Sequence, residues 1–103
     1  MDKLPVIAVF DVGKTNKKLL LFNEQYELLQ EDSRPMEEIT DEDGFPCDDV
    51  MALTSWIRDS YAGLFKSNRF EVRAVNFSGY GASFVYVNQE GRVMLPLYNY
   101  LKP

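Results

Sequence analysis

The sequence predicts an α/β domain with a mixed sheet: three antiparallel strands, a helix, a parallel strand and a β-hairpin. Three observations lead there. Short apolar runs alternate with turn formers over residues 5–34, apolar residues from Val50 onward recur at helical spacing, and a further β-type run follows that helix directly.

The first run, residues 5–10 (PVIAVF), is apolar on both faces, which suits a buried central strand. Residues 11–16 (DVGKTN) contain the turn formers Asp, Gly and Asn, so residues 17–22 (KKLLLF) should return antiparallel as a hairpin. Residues 23–25 turn the chain again into a third strand, residues 26–34 (YELLQEDSR), which Pro35 discourages from continuing. The acidic stretch up to Asp49 reads as a solvated surface loop. Asp48 or Asp49 is suited to cap a helix. From there Val50, Leu53, Ile57, Tyr61 and Leu64 make one apolar face, widened by Trp56 and Phe65, and the helix should end near Asn68. Residues 71–77 (EVRAVNF) are expected to lie parallel to an earlier strand after a right-handed crossover. Residues 78–81 (SGYG) break that strand, and residues 82–88 and 92–97 bracket Gln89-Glu90-Gly91, a hairpin signal.

Composition narrows the function classes. With 103 residues, 46% hydrophobic and 26% charged, the chain can build one small core. Its net charge of -5 is uneven: residues 31–49 hold nine acidic residues and one arginine. No basic stripe with interleaved aromatics marks a nucleic-acid binder. The chain has no histidine, which excludes a Cys/His zinc site, a Ser-His-Asp triad and a histidine base within it. The lone Cys47 allows no internal disulfide, has no sign of activation, and fits a reducing compartment. No run is long enough for a signal-peptide core or a membrane span, so the expected location is cytoplasmic, with no membrane partner.

Two motifs can carry chemistry. Asp11-Val12-Gly13-Lys14-Thr15-Asn16 joins two strands in a tight turn. Gly13 permits close backbone approach to a phosphate, and successive N–H groups of such a turn form an anion-binding concavity. Thr15 and Asn16 add neutral donors, Lys14 and Lys18 add positive charge, and Asp11 at the strand end could hold Mg²⁺ directly or through water. These are the needs of phosphoryl transfer. An ordinary polar hairpin turn has the same composition, so spacing alone leaves both readings open. The second motif, Asn76-Phe77-Ser78-Gly79-Tyr80-Gly81-Ala82-Ser83, implies a bend or close backbone approach at a strand end; a bend that only re-aims the chain is the plain alternative. Neither the Walker loop nor the dinucleotide fingerprint occurs.

The block VIAVFDVGKTNKKLLLF resembles the first phosphate motif of the FGGY carbohydrate kinases, in its Asp11, Gly13, Thr15 and Lys18. The Lys-Thr-Asn variant is most similar to the rhamnulokinase and fuculokinase branches. The resemblance covers roughly residues 5–100 and implies a ribonuclease-H-like unit of the actin-like ATPase superfamily. On this reading residues 1–103 are the N-terminal part of the first kinase domain, an incomplete domain lacking the second, ATP-binding domain. It implies ATP, Mg²⁺ and a sugar substrate, with Asp11 assisting the metal and Gly13, Lys14, Thr15, Asn16 and Lys18 at the phosphates. Ser78, Gly79, Tyr80, Gly81 and Ala82 would face the sugar, with Tyr80 where relatives often carry glutamine. Asp43 or Phe45 would line the same site. Tyr98, Tyr100 and Lys102 stand where the family usually has Trp-x-Asp-x-Arg, a departure that puts its acidic sugar contact in doubt. The catalytic base would lie downstream, so the isolated chain should be inactive and, with an uncovered sheet edge, prone to form homo-oligomers. A non-catalytic interaction module of an actin-like ATPase relative is the competing reading. A cation-binding protein built on the acidic stretch is a third, with no EF-hand spacing behind it.

Overall fold

The computed structural model describes residues 2–103. The chain runs β1 (Leu4–Val12), β2 (Asn16–Phe22), β3 (Leu28–Pro35), β4 (Ile39–Thr40), β5 (Pro46–Asp48), α1 (Val50–Lys66), β6 (Phe70–Gly79) and β7 (Leu97–Tyr98). Four strands form the main sheet in the order β3-β2-β1-β6. β1, β2 and β3 are successively antiparallel, and β6 returns parallel to β1 after α1, as the sequence predicts.

The core lies on one face of this sheet. Val6, Ala8 and Phe10 of β1 are fully buried, as is Leu21 of β2, with Leu19 close behind. Their alternation puts them all on one face, where α1 covers them. The Trp56 and Phe10 rings pack at right angles, 89° between planes and 5.6 Å between centroids, and Leu64 and Phe70 complete the cluster. The apolar-both-faces character of β1 correctly places it in the sheet centre, but Ile7 and Val9 on its second face are only half-buried.

Asp49 is the helix cap: its carboxylate accepts the N–H of Ala52 at 3.0 Å. The inward helix face is narrower than the sequence suggests. Leu53, Trp56, Ile57 and Leu64 pack on the sheet, whereas Tyr61 and Phe65 are exposed and pack on each other, rings 4.7 Å apart. Helical spacing groups residues within a stripe, but the sheet contacts only part of it. The helix closes at Lys66, and Ser67 Oγ accepts the N–H groups of Arg69 and Phe70, which turns the chain into β6.

Two expectations need correction. The acidic stretch is not simply a solvated loop. It contributes β4 and β5 to a second antiparallel sheet, ordered β4-β5-β7. Asp41 organises it: its Oδ1 accepts the N–H groups of Asp43 and Phe45, and Gly44 takes the left-handed φ of 81° that the turn needs. The second correction concerns the hairpin after Tyr80. Its turn forms, with Asn88 Oδ1 accepting the N–H groups of Glu90 and Arg92, but the flanking strands reduce to a single bridge between Val87 and Val93. A two-stranded ribbon with nothing to pack against is marginal. Leu97 and Tyr98 pair instead with Asp48 and Cys47 of β5.

Candidate functional site

Both motifs lie at the carboxyl ends of neighbouring parallel strands. Asp11 is in register with Ser78 and Val12 with Gly79, and the Tyr80 N–H donates to Val12 O at 3.2 Å. The phosphate-type turn and the glycine bend therefore leave the sheet side by side. Crevices outside such strand ends are where open α/β sheets bind ligands.

The turn is tight. Gly13 N–H donates to Asn16 O at 3.0 Å, and a Cβ on Gly13 would come within 2.8 Å of that oxygen. The same bond uses up the Gly13 N–H. The expectation that successive N–H groups of the turn face an anion is therefore corrected at Gly13, which serves the turn's shape. Thr15 and Asn16 are exposed beside it.

Asp11 is half-buried on the sheet face opposite Phe10, across the ladder from Lys18. Lys18 itself turns toward Glu31 of β3, 3.5 Å away. Among the described residues no group of three or more His, Cys, Asp or Glu is gathered for a metal. A cation here would have the Asp11 carboxylate with water and phosphate oxygens, a donor set that Mg²⁺ accepts and that suits few transition metals.

The side chain that joins the turn to the bend is one the sequence motifs do not contain. Asp48, at the end of β5, is buried at 7% exposure, and Lys17 on β2 at 2%. Asp48 Oδ1 accepts from Lys14 Nζ at 3.3 Å and lies 3.9 Å from Lys17 Nζ. Asp48 Oδ2 accepts from the Tyr80 hydroxyl. Lys14 also donates to Glu38 at 3.0 Å, and Lys17 donates to Lys14 O at 3.2 Å. Burial works against the charge on Lys14, but the hydrogen bonds to Glu38 and Asp48 outweigh it and raise the Lys14 pKa above its ordinary value. Breaking a buried pair such as Lys17 with Asp48 by removing one partner costs on the order of 3–5 kcal/mol, because the other charge is left uncompensated.

Lys17 and Glu38 also lie outside the DVGKTN turn and the SGYG bend. The position of Lys17 is legible in the strand alternation, since it shares a face with the buried Leu19 and Leu21. Asp48 and Glu38 carry no local signal, because their partners lie 34 and 24 residues away.

The bend residues Ser78, Gly79, Gly81 and Ala82 are exposed, and Tyr80 is half-buried by its bond to Asp48. Ala82 has a φ of 66°, a left-handed conformation that is strained for a residue with a Cβ. A cavity of about 160 Å³ lies against Val12, Gly79, Tyr80 and Ser83, and another of about 220 Å³ against Lys14, Thr15, Glu38 and Asn99. The structure thus brings the turn and the bend together through Asp48. Asp43 and Phe45 lie elsewhere: Asp43 pairs with Lys102 at 2.9 Å, and Phe45 lines a separate cavity of about 240 Å³.

The residues at the Trp-x-Asp-x-Arg place tie the C-terminal segment to the acidic stretch. Lys102 Nζ lies 2.8 Å from Asp41 Oδ2, in close ionic contact, and 4.4 Å from the Tyr98 ring centroid. Hydrogen bonds to Asp41 and Asp43 raise the Lys102 pKa. Burial would raise that of Asp41, but Lys102 and the N–H groups of Phe45 and Asp43 outweigh it and hold the carboxyl below its usual range. The Tyr98 hydroxyl donates to Glu42, a bond that, with burial, pushes its pKa up to about 12. Tyr100 stands beside the Tyr80 ring, 6.3 Å between centroids. Cys47 is fully buried, and burial, followed by the nearby charges of Asp41 and Asp48, raises its pKa, as expected of an inert thiol.

No family model and no curated sequence matches the chain. Solved structures do match its fold. A carbohydrate kinase from Novosphingobium aromaticivorans superposes with a TM-score of 0.76 at 23% identity, over 94% of this chain and 20% of that one. A ligand-bound xylulose kinase from Lactobacillus acidophilus gives 0.73 at 17% identity, over 90% and 19%. A gluconate kinase from the same organism gives 0.72 at 17% identity, over 91% and 19%. All three are sugar kinases, the group that the sequence motifs resemble. The chain shares the fold of a part of each of these kinases and spans about a fifth of their length.

Proposed function

We propose that this chain is the N-terminal part of the first domain of an ATP-dependent carbohydrate kinase of the FGGY type, in the rhamnulokinase- and fuculokinase-like branch, acting on a sugar or ketose hydroxyl. One observation carries the reading: the DVGKTN turn and the SGYG bend emerge side by side from the carboxyl ends of the parallel strands β1 and β6. A phosphate donor at the turn and an acceptor at the bend would then be neighbours, which is the positioning that phosphoryl transfer depends on.

In this reading Asp11 holds the metal, directly or through water, and Gly13 keeps the turn tight enough for close approach. Lys14, Thr15, Asn16 and Lys18 face the phosphates. Lys18 is free to do so because its present pairing with Glu31 is exposed and weak. Mg²⁺ and ATP, when bound, supply the phosphoryl group and neutralise its charge. Ser78, Gly79, Tyr80, Gly81 and Ala82 hold the sugar. The carboxylate that takes the proton from the acceptor hydroxyl and the adenosine site belong to the remaining four fifths of such an enzyme. The test is Asp11→Asn in the full-length kinase. Turnover should fall by about a hundredfold or more while the KM for the sugar stays nearly unchanged. Equal loss in both, with the fold intact, would remove Asp11 from the metal role.

A further inference from the structure

We propose that Asp48 is a positioning residue that couples the phosphate turn to the sugar-side bend, so that an anion arriving at Lys14 repositions Tyr80. The proposal rests on the kinase reading for the identity of the two ligands, a phosphate-bearing nucleotide and a sugar, but its physical basis is independent of that reading. Three segments converge on one buried carboxylate: the β1–β2 turn through Lys14, β2 through Lys17, and the chain after β6 through Tyr80. Asp48 cannot follow any of them, because its backbone pairs with Leu97 and its neighbour Asp49 caps α1.

The members differ in freedom. The Lys14 side chain is 26% exposed and also leans on the exposed Glu38, whereas Lys17 and Asp48 are enclosed. An anion at the turn therefore competes first for Lys14. As the Lys14 ammonium turns outward, Asp48 keeps only Lys17 and the Tyr80 hydroxyl as partners. The ammonium also leaves its place 5.7 Å from the centre of the Tyr80 ring. Both changes act on Tyr80, which hangs from Val12 O at the root of the bend. An interaction that differs between the two states is what allows one ligand to bias the site of another, and the bias is reciprocal.

The experiment uses the 103-residue chain, read by backbone amide NMR during titration with inorganic pyrophosphate. The expected result is that the amides of Lys14, Thr15 and Asn16 shift and that those of Tyr80 and Gly81 shift with the same midpoint. Tyr80→Phe removes one hydroxyl and no charge, so the fold should survive. In it the shifts at residues 80 and 81 should fall by at least half while those of the turn persist. Asp48→Asn should do the same where it remains folded. Equal responses at 80 and 81 with and without the hydroxyl would overturn the proposal. A turn that ignores pyrophosphate would count against the kinase reading instead. The coupling is then decided by a ligand-free double-mutant cycle of Lys14→Met and Tyr80→Phe in urea unfolding. Non-additivity of about threefold or more in the unfolding constant supports it, and additivity overturns it.

Discussion

Gly13 is fixed by space rather than by backbone conformation. An added methyl group would press on the carbonyl oxygen of Asn16, a backbone atom that cannot swing aside. Gly13→Ala should therefore open the turn and destabilise the chain by about 1–3 kcal/mol, the usual penalty for overpacking. Urea unfolding measures the loss, and an unchanged midpoint would show that the turn yields freely. At this scale the sequence was legible where chemistry is local. Asp11, Gly13 and Thr15 stand within one turn, and Asp49 caps a helix that begins at the next residue. Lys17 and Asp48 were not legible as a pair, because a buried ion pair across 31 residues leaves no spacing to read. Nothing in DVGKTN says that Lys14 is held by two carboxylates from the acidic stretch.

Among the elements, α1 is held by its cap and by the packing of Trp56 and Leu64 on the sheet. Asp49→Ala should cost about 1 kcal/mol without disturbing Asp48, whose carboxylate meets Lys14, Lys17 and Tyr80 instead. Thermal unfolding followed at the helix band would show this, and a loss several times larger would mean that the two aspartates act as one unit. β1, β2, β6 and α1 were predicted within a residue or two because each is long and strongly patterned. The three short strands of the second sheet were missed for a physical reason. β4 and β7 have two residues each and β5 has three, too few to show a period, and they exist because Asp41, Lys102 and Tyr98 hold distant segments together. The hairpin after the bend failed in the opposite sense. Its turn chemistry was right, but extended pairing also needs a surface to lie on.

The molecule as a whole is more drawn out than its length requires. Its radius of gyration is 15.8 Å, against about 13 Å for an ordinary domain of 100 residues. Phe84, Val85, Tyr86 and Val87, with Val93, Met94 and Leu95, are exposed on the segment that projects from the body. Apolar patches of this kind associate, and β3 adds an uncovered edge along its whole length. The purified chain should therefore show a mass above that of a monomer by light scattering, rising with concentration. It should also show no sugar-dependent ATP consumption against a panel of ketoses and deoxy-sugars. A well-behaved monomer would mean that the exposed edge and arm are harmless, and turnover well above background would mean that these 103 residues suffice for catalysis. The projecting segment has one more consequence. Its two roots are pinned close together, by Tyr80 N–H on Val12 O on one side, and on the other by Ser83 Oγ on Tyr98 O and the pairing of Leu97 with Asp48. Between these roots the chain is a closed loop whose length the body cannot sense. Doubling such a loop costs only about 0.6 kcal/mol, so residues could be added or removed around Asn88–Arg92 without disturbing the turn, the bend or Asp48. Evolution could tune the reach of the arm, and with it whatever the arm touches, independently of the chemistry at its base.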